Sequence, residues 1–137
     1  MAAIGSHRDL IVWQEAMKLV AAVYRATDQL PKREWFGLIA QARRAAVSIP
    51  SNIAEGAGRN STREYVQFLG IATGSLAELE TQLELCVILK YLPDDTELPR
   101  HVRRVGQLLT ALRATHKSRL TTSRFTLSRP TVPLTEA

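Results

Sequence analysis

Glu80 and Glu84 stand one helical turn apart, His101 and His116 lie fifteen residues apart, and Cys86 is the single thiol in a chain of 137 residues. Acid–base, metal or nucleophilic chemistry would have to be built from side chains like these. Two carboxylates a turn apart can hold a cation, or divide the roles of acid and base, only when a further ligand converges on them. No His or Asp is spaced to do so, and the pair reads as a solvated helix face. Neither His101 nor His116 has a Glu three positions before it, so the Glu-x-x-His pairs of di-iron helical bundles are absent. Arg113 and His116 are closer together than the Arg–His pair of helical ribonucleases of the HEPN type. His7 lies in an N-terminal segment, residues 1 to 8, expected to be mobile. Cys86 reads as a small buried hydrophobe and cannot form an intrachain disulfide. No Gly-rich phosphate loop follows a strand, because no segment reads as a strand. The expectation is a protein that is not an enzyme and uses no cofactor or metal.

The remaining chemistry is cationic. The net charge is +5, but residues 1–98 hold 10 Lys+Arg against 12 Asp+Glu, whereas residues 99–137 hold 8 against 1. A basic last quarter makes a polyanion such as RNA or DNA the natural partner. Arg100, Arg103, Arg104, Arg113 and Lys117 surround one predicted helix, and Arg119, Arg124 and Arg129 follow it. Each can neutralise a phosphate and release counterions. Phe125 is the one aromatic available there for base stacking, so binding with little sequence preference is expected.

Four helices must position these groups. Asp9 is a candidate cap for a first helix over about residues 10–29. That helix carries two apolar stripes, Leu10, Trp13, Met17, Val20, Tyr24 and Val12, Ala16, Leu19, Val23, Ala26. Two stripes make a face wider than one contact needs, which marks Val12 and Leu19 as candidates for an oligomer interface. After the connection "PKREWFG", Ile39, Ala42, Ala46, Ile49 and Ile53 recur at spacings of 3, 4, 3 and 4, straight through Pro50. The proline removes an N–H and crowds the carbonyl of Ala46, so a kink is predicted, with Ser48 and Ser51 near enough to solvate that carbonyl. Gly56 and Gly58 are read as a left-handed helix end. "STRE" from Ser61 is a capping box that opens the third and longest helix. Its stripe Tyr65, Leu69, Ala72, Leu76, Leu79, Leu83, Cys86 keeps the 3.5-residue period of packed helices. Asp95 or Thr96 caps the fourth, which carries Leu98, Val102, Val105, Leu109 and Leu112 and is predicted to end near His116 to Arg119. Eight of the twenty residues from 118 to 137 are Ser or Thr, and Pro130 and Pro133 follow, so a mobile tail is expected. The fold class is all-α: an up-down-up-down antiparallel four-helix bundle over residues 9–117, with helix 2 kinked at Pro50.

Opposite its apolar stripe, helix 2 carries Gln41, Arg44, Ser48, Ser51, Asn52, Glu55 and Arg59. Ser48, Ser51, Asn52, Glu55 and Arg59 are candidates for a subunit contact, which a kink at Pro50 would re-aim. No apolar run approaches the roughly 18 residues that cross a membrane, and the N-terminus lacks the features of a signal peptide, so the cytoplasm is expected.

The blocks "DLIVWQEAMKLV", "RRAAVSIPSNIAEGAGR", "EYVQFLGIATGSLAELETQLEL" and "YL" closely resemble the 23S rRNA intervening-sequence protein family of bacterial four-helix bundle proteins, across about residues 9–115. The resemblance implies a bundle that assembles as a ring-shaped homopentamer. Such proteins are encoded within insertions in large-subunit rRNA genes or as stand-alone genes. The family also looks related to the accessory variability protein of diversity-generating retroelements, a basic pentameric barrel that binds a reverse transcriptase and nucleic acid. That similarity implies a polymerase-type protein partner as an alternative to RNA. It makes Arg43 and Arg44, with the "SIPSNIAEG" face, candidates for an assembly or nucleic-acid surface. The acidic balance of residues 1–98 and the Ser/Thr/Arg tail depart from that pattern.

Overall fold

A computed structural model describes residues 5–127, with side chains to residue 121. Helices α1 (Ile11–Thr27), α2 (Ala40–Ala57), α3 (Thr62–Ile88) and α4 (Leu98–Leu127) form an all-α four-helix bundle, with no strand among the described residues. The predicted stripes meet in one core. Val12, Ala16, Leu19 and Val23 of α1 pack with Ala42, Ala46, Ile49 and Ile53 of α2, Leu69 to Cys86 of α3, and Leu98, Val102, Val105 and Leu109 of α4. Each large side chain so buried contributes on the order of 1.5–3 kcal/mol relative to exposure. The most extensive contact is between α2 and α3, followed by α3 with α4 and α1 with α2 and α4. Small residues explain the first of these, because Ala42, Ala45, Ala46 and Gly56 are all buried along α2. A Cβ on Gly56 would lie 2.8 Å from the Phe68 Cβ and 3.0 Å from the Tyr65 ring, so the two helices approach to glycine distance.

Several ends differ from the sequence reading. Ser6, not Asp9, caps the N-terminus: its Oγ accepts the Arg8 amide at 3.1 Å and starts a 3₁₀ turn, His7–Asp9. Leu10 then stands at the N-cap of α1 without a side-chain bond. The "PKREWFG" connection is itself helical, a 3₁₀ turn Lys32–Glu34 followed by a π turn Trp35–Ile39 that leads into α2. One Glu34 oxygen accepts the Leu38 amide at 3.1 Å, and the other accepts the Tyr91 hydroxyl at 3.0 Å, tying the α1–α2 connection to the α3–α4 connection.

α2 runs from Ala40 to Ala57 with Pro50 inside it and buried. Ser48 does not turn to the Ala46 carbonyl; its hydroxyl bonds that of Ser75 on α3 at 2.7 Å. Gly58 ends α2 at φ −84°, not in the left-handed region, with its amide shared between the Ala54 and Glu55 carbonyls at 3.1 and 3.2 Å. The left-handed end belongs to α3. Lys90 has φ 65°, and the amides of Tyr91 and Leu92 return to the Cys86 carbonyl. Half of the capping box forms: Ser61 Oγ accepts the Glu64 amide at 3.2 Å, whereas the Glu64 carboxylate faces Arg59 at 3.7 Å.

α4 does not stop near Arg119 but continues to Leu127. After Gly106 no Gly or Pro occurs before Pro130. Its threonines fit the helix by bonding back, Thr115 to the Ala111 carbonyl and Thr121 to the Lys117 carbonyl. The predicted end gave the Ser/Thr content too much weight, since these residues disfavour a helix interior by only about half a kcal/mol each. Residues 1–4 and 128–137, where the rest of the expected mobile ends fall, lie outside the described residues.

Candidate nucleic-acid interface

Arg43 is not a surface cation. Its Nε donates to Thr27 Oγ1 at 2.9 Å, and its Nη2 donates to Asp28 Oδ1 at 2.9 Å and to the Tyr24 carbonyl at 3.3 Å. The guanidinium also lies over the rings of Tyr24 and Trp35, 4.4 and 5.5 Å from their centroids. It fastens the end of α1 to the start of α2, which removes it from the candidates for phosphate contact. Arg44, one residue on, is exposed and lines a groove between α2 and α3 with Ser48, Ser75 and Glu78.

The basic residues of α4 divide in the same way. Arg104 Nε donates to Glu15 Oε1 of α1 at 3.1 Å. Lys18 also bonds Glu15, and the two cations, Lys18 first, hold its carboxyl below the usual range. Arg113 donates to the Val66 carbonyl at 3.4 Å and covers Gly70, where a Cβ would meet its Nη2 at 2.8 Å. Arg100 pairs with Glu97 at 3.3 Å, an exposed contact of little energetic weight. Arg103 and Lys117 point to solvent. Exposed Arg119 approaches His116 Nδ1 at 3.4 Å. His116 packs against the Tyr65 ring at 4.5 Å, and burial, with Arg119 beside it, lowers its pKa. Arg44, Arg100, Arg103, Lys117 and Arg119 thus remain presented to a polyanion: Arg44 in the α2–α3 groove, Arg100 and Arg103 in the first two turns of α4, and Lys117 and Arg119 beyond Leu109, the last buried core residue of α4 among those described.

The interface candidates also separate. Val12 and Leu19 are 4% and 0% exposed within the single chain, so they build its own core and are not open to a neighbour. On α2, Asn52 Nδ2 donates to the Ser48 carbonyl and hydroxyl at 2.8 and 2.9 Å, drawing both into the α2–α3 contact. Ser51 is exposed. Arg59 bridges Glu55 and Glu64 at 3.6 and 3.7 Å and lies over Phe68. The stripe is therefore partly an internal helix–helix contact.

Glu80 and Glu84 face a groove of about 370 Å³ with Leu83, Val102 and Arg103. No group of three or more metal-ligating side chains gathers among the described residues. Cys86 is buried, and that burial, with Glu34 nearby, raises its thiol pKa. Two features had no sequence signal. Trp35 and Phe36 are 53% and 90% exposed on the π turn, where a period-based reading sees only a connection. Gln82 is buried on a helix whose spacing marks it as polar surface. No helix among the described residues is long and apolar enough to cross a membrane. A family model described as 23S rRNA-intervening sequence protein matches residues 8–111. No curated protein matches the chain.

Proposed function

From the premise that this chain belongs to the 23S rRNA-intervening sequence protein family, we propose that it is a non-enzymatic oligomeric helical scaffold that binds structured RNA with little sequence preference. The family name ties such proteins to sequences inserted in 23S rRNA. The observation that carries the reading is the course of α4, which continues to Leu127, well beyond Leu109, its last buried core residue among those described, and presents Lys117 and Arg119 to solvent. Cations on an exposed helix surface meet phosphates, not base edges, so affinity is ionic and tolerant of sequence. The scaffold is a homo-oligomer, a pentamer by family resemblance, acting in the cytoplasm. Reversing two charges, Lys117→Glu with Arg119→Glu, is expected to weaken binding to a structured RNA by about tenfold or more at fixed salt, with helix content unchanged. Unchanged affinity would sink the assignment of α4 as the binding element.

A second reading is favoured by one observation. Phe36 and Trp35 stand exposed beside each other, as anchors of a protein contact do. In this reading the chain is an accessory subunit of a nucleic-acid enzyme, such as a reverse transcriptase. Co-purification with a protein partner that survives nuclease treatment, and is lost in Phe36→Ala, would replace the RNA reading with this one.

A further inference from the structure

Along α3 runs a second stripe, formed by Ile71, Gly74, Glu78, Thr81, Leu85 and Ile88 at spacings of 3, 4, 3, 4 and 3, every one exposed. Ile71, Leu85 and Ile88 are 52, 42 and 69% exposed. This is the period of a seam between packed helices, repeated on the face opposite the core. Gly74 leaves a hole in it, since a Cβ there would meet nothing within 4 Å. Beside the stripe, Gln82 is 8% exposed and its Oε1 has no hydrogen-bond partner. It lies in a groove of about 360 Å³ between α2 and α3 that Glu78 also lines. A side-chain carbonyl oxygen buried without a bond is a standing cost to the isolated chain, and the cost is removed by a donor arriving from outside.

The chain carries a matching surface on α1. Ile11, Gln14, Lys18, Ala21 and Arg25 recur at spacings of 3, 4, 3 and 4, again all exposed. Among the described residues neither Arg25 nor Glu78 forms an ion pair. A two-fold contact of α3 on α3 would set Glu78 against acidic copies of itself, whereas the α1 stripe brings cations and N–H donors.

We propose that the outer face of α3 is covered by α1 of a second copy of the chain, in a head-to-tail contact that pairs Arg25 of one copy with Glu78 of the next and supplies a donor to Gln82 Oε1. Repetition of such a contact generates a ring when its rotation closes. This rests on the oligomeric half of the proposed function. Its test reads solution mass without nucleic acid, so a failure of RNA binding and a failure of this interface are seen separately.

The test is the concentration-dependent mass of the full chain, by sedimentation, for the wild type, Arg25→Glu, Glu78→Arg, the double reversal and Gln82→Leu. The wild type is expected to be a multimer. Each single reversal should raise the dissociation constant at least tenfold, and the double should restore it. Gln82→Leu should weaken assembly without lowering the melting temperature of the dissociated chain. A wild type that is monomeric throughout, single reversals of unchanged mass, or a double as dissociated as the singles would overturn the proposal. If a reversal loses helix content, Arg25→Gln and Glu78→Gln are read in its place by the same criteria.

Discussion

Arg43 shows how a charge that reads as a ligand group from its neighbours in sequence becomes a structural fastener in three dimensions. Its acceptors, Thr27 and Asp28, precede it by sixteen and fifteen residues, a separation that no helical spacing reports. Arg43→Ala is expected to cost about 2 kcal/mol, because it removes the donor that Thr27, Asp28 and the Tyr24 carbonyl share, while the Thr27 hydroxyl keeps its own bond to the Val23 carbonyl. RNA affinity of the folded variant should be unchanged. A urea titration beside a binding curve checks both, and lost affinity at full stability would restore Arg43 to the interface. His116 carries a pH prediction. Its folded pKa lies below the unfolded value of 6.5, so the unfolded chain binds more protons and stability declines as the pH falls through 6.5 toward the lowered value. His116→Gln should therefore lose less stability than the wild type between pH 7.5 and 5.5, measured as the shift in urea midpoint. Equal shifts would mean that burial and Arg119 do not perturb the imidazole.

Among the elements, what was legible in the sequence is what a period encodes. The buried stripes of all four helices follow from spacings of 3 and 4, since each must bury one face, and the Ser61 cap follows from its residue types. Ends and close approaches were less legible, because they depend on partners from elsewhere. Gly56 and Gly58 look alike in "EGAG", yet one is a contact between helices and the other an ordinary right-handed cap. Gly56→Ala is expected to cost about 1–3 kcal/mol through overpacking against Phe68. Gly58→Ala, with its nearest neighbour at 3.6 Å, should change stability by no more than about 0.5 kcal/mol. Equal losses in the two denaturation curves would contradict the close α2–α3 contact. The turn after α3 reverses the usual choice, with Lys90 and not a glycine at φ 65°, so a composition-based search for helix ends passes over it. The outward stripe of α3 was written in the same period as the inward one. It escapes notice because Gly74, Glu78 and Thr81 interrupt its apolar residues, and only their exposure separates it from polar surface.

At the scale of the whole molecule, charge is divided between two tasks. Residues 1–98 are slightly acidic, and their carboxylates pair to fasten helices together, Asp28 with Arg43 inside this segment and Glu15 with Arg104 of α4. Residues 99–137 carry the excess of basic charge, and α4 takes part of it beyond the core. The division fits the proposed oligomer, in which α1 and α3 supply the lateral faces and the far part of α4 is left to meet a polyanion. The most direct measurement is the affinity of the full chain for a structured RNA and for an unrelated RNA of equal length, between 50 and 200 mM salt. If about four cations of each chain contact phosphate, log K should fall with log salt at a slope of about −3 to −4, nearly the same for both RNAs. A slope near zero, or a large preference for one RNA at every salt concentration, would contradict binding through the phosphates.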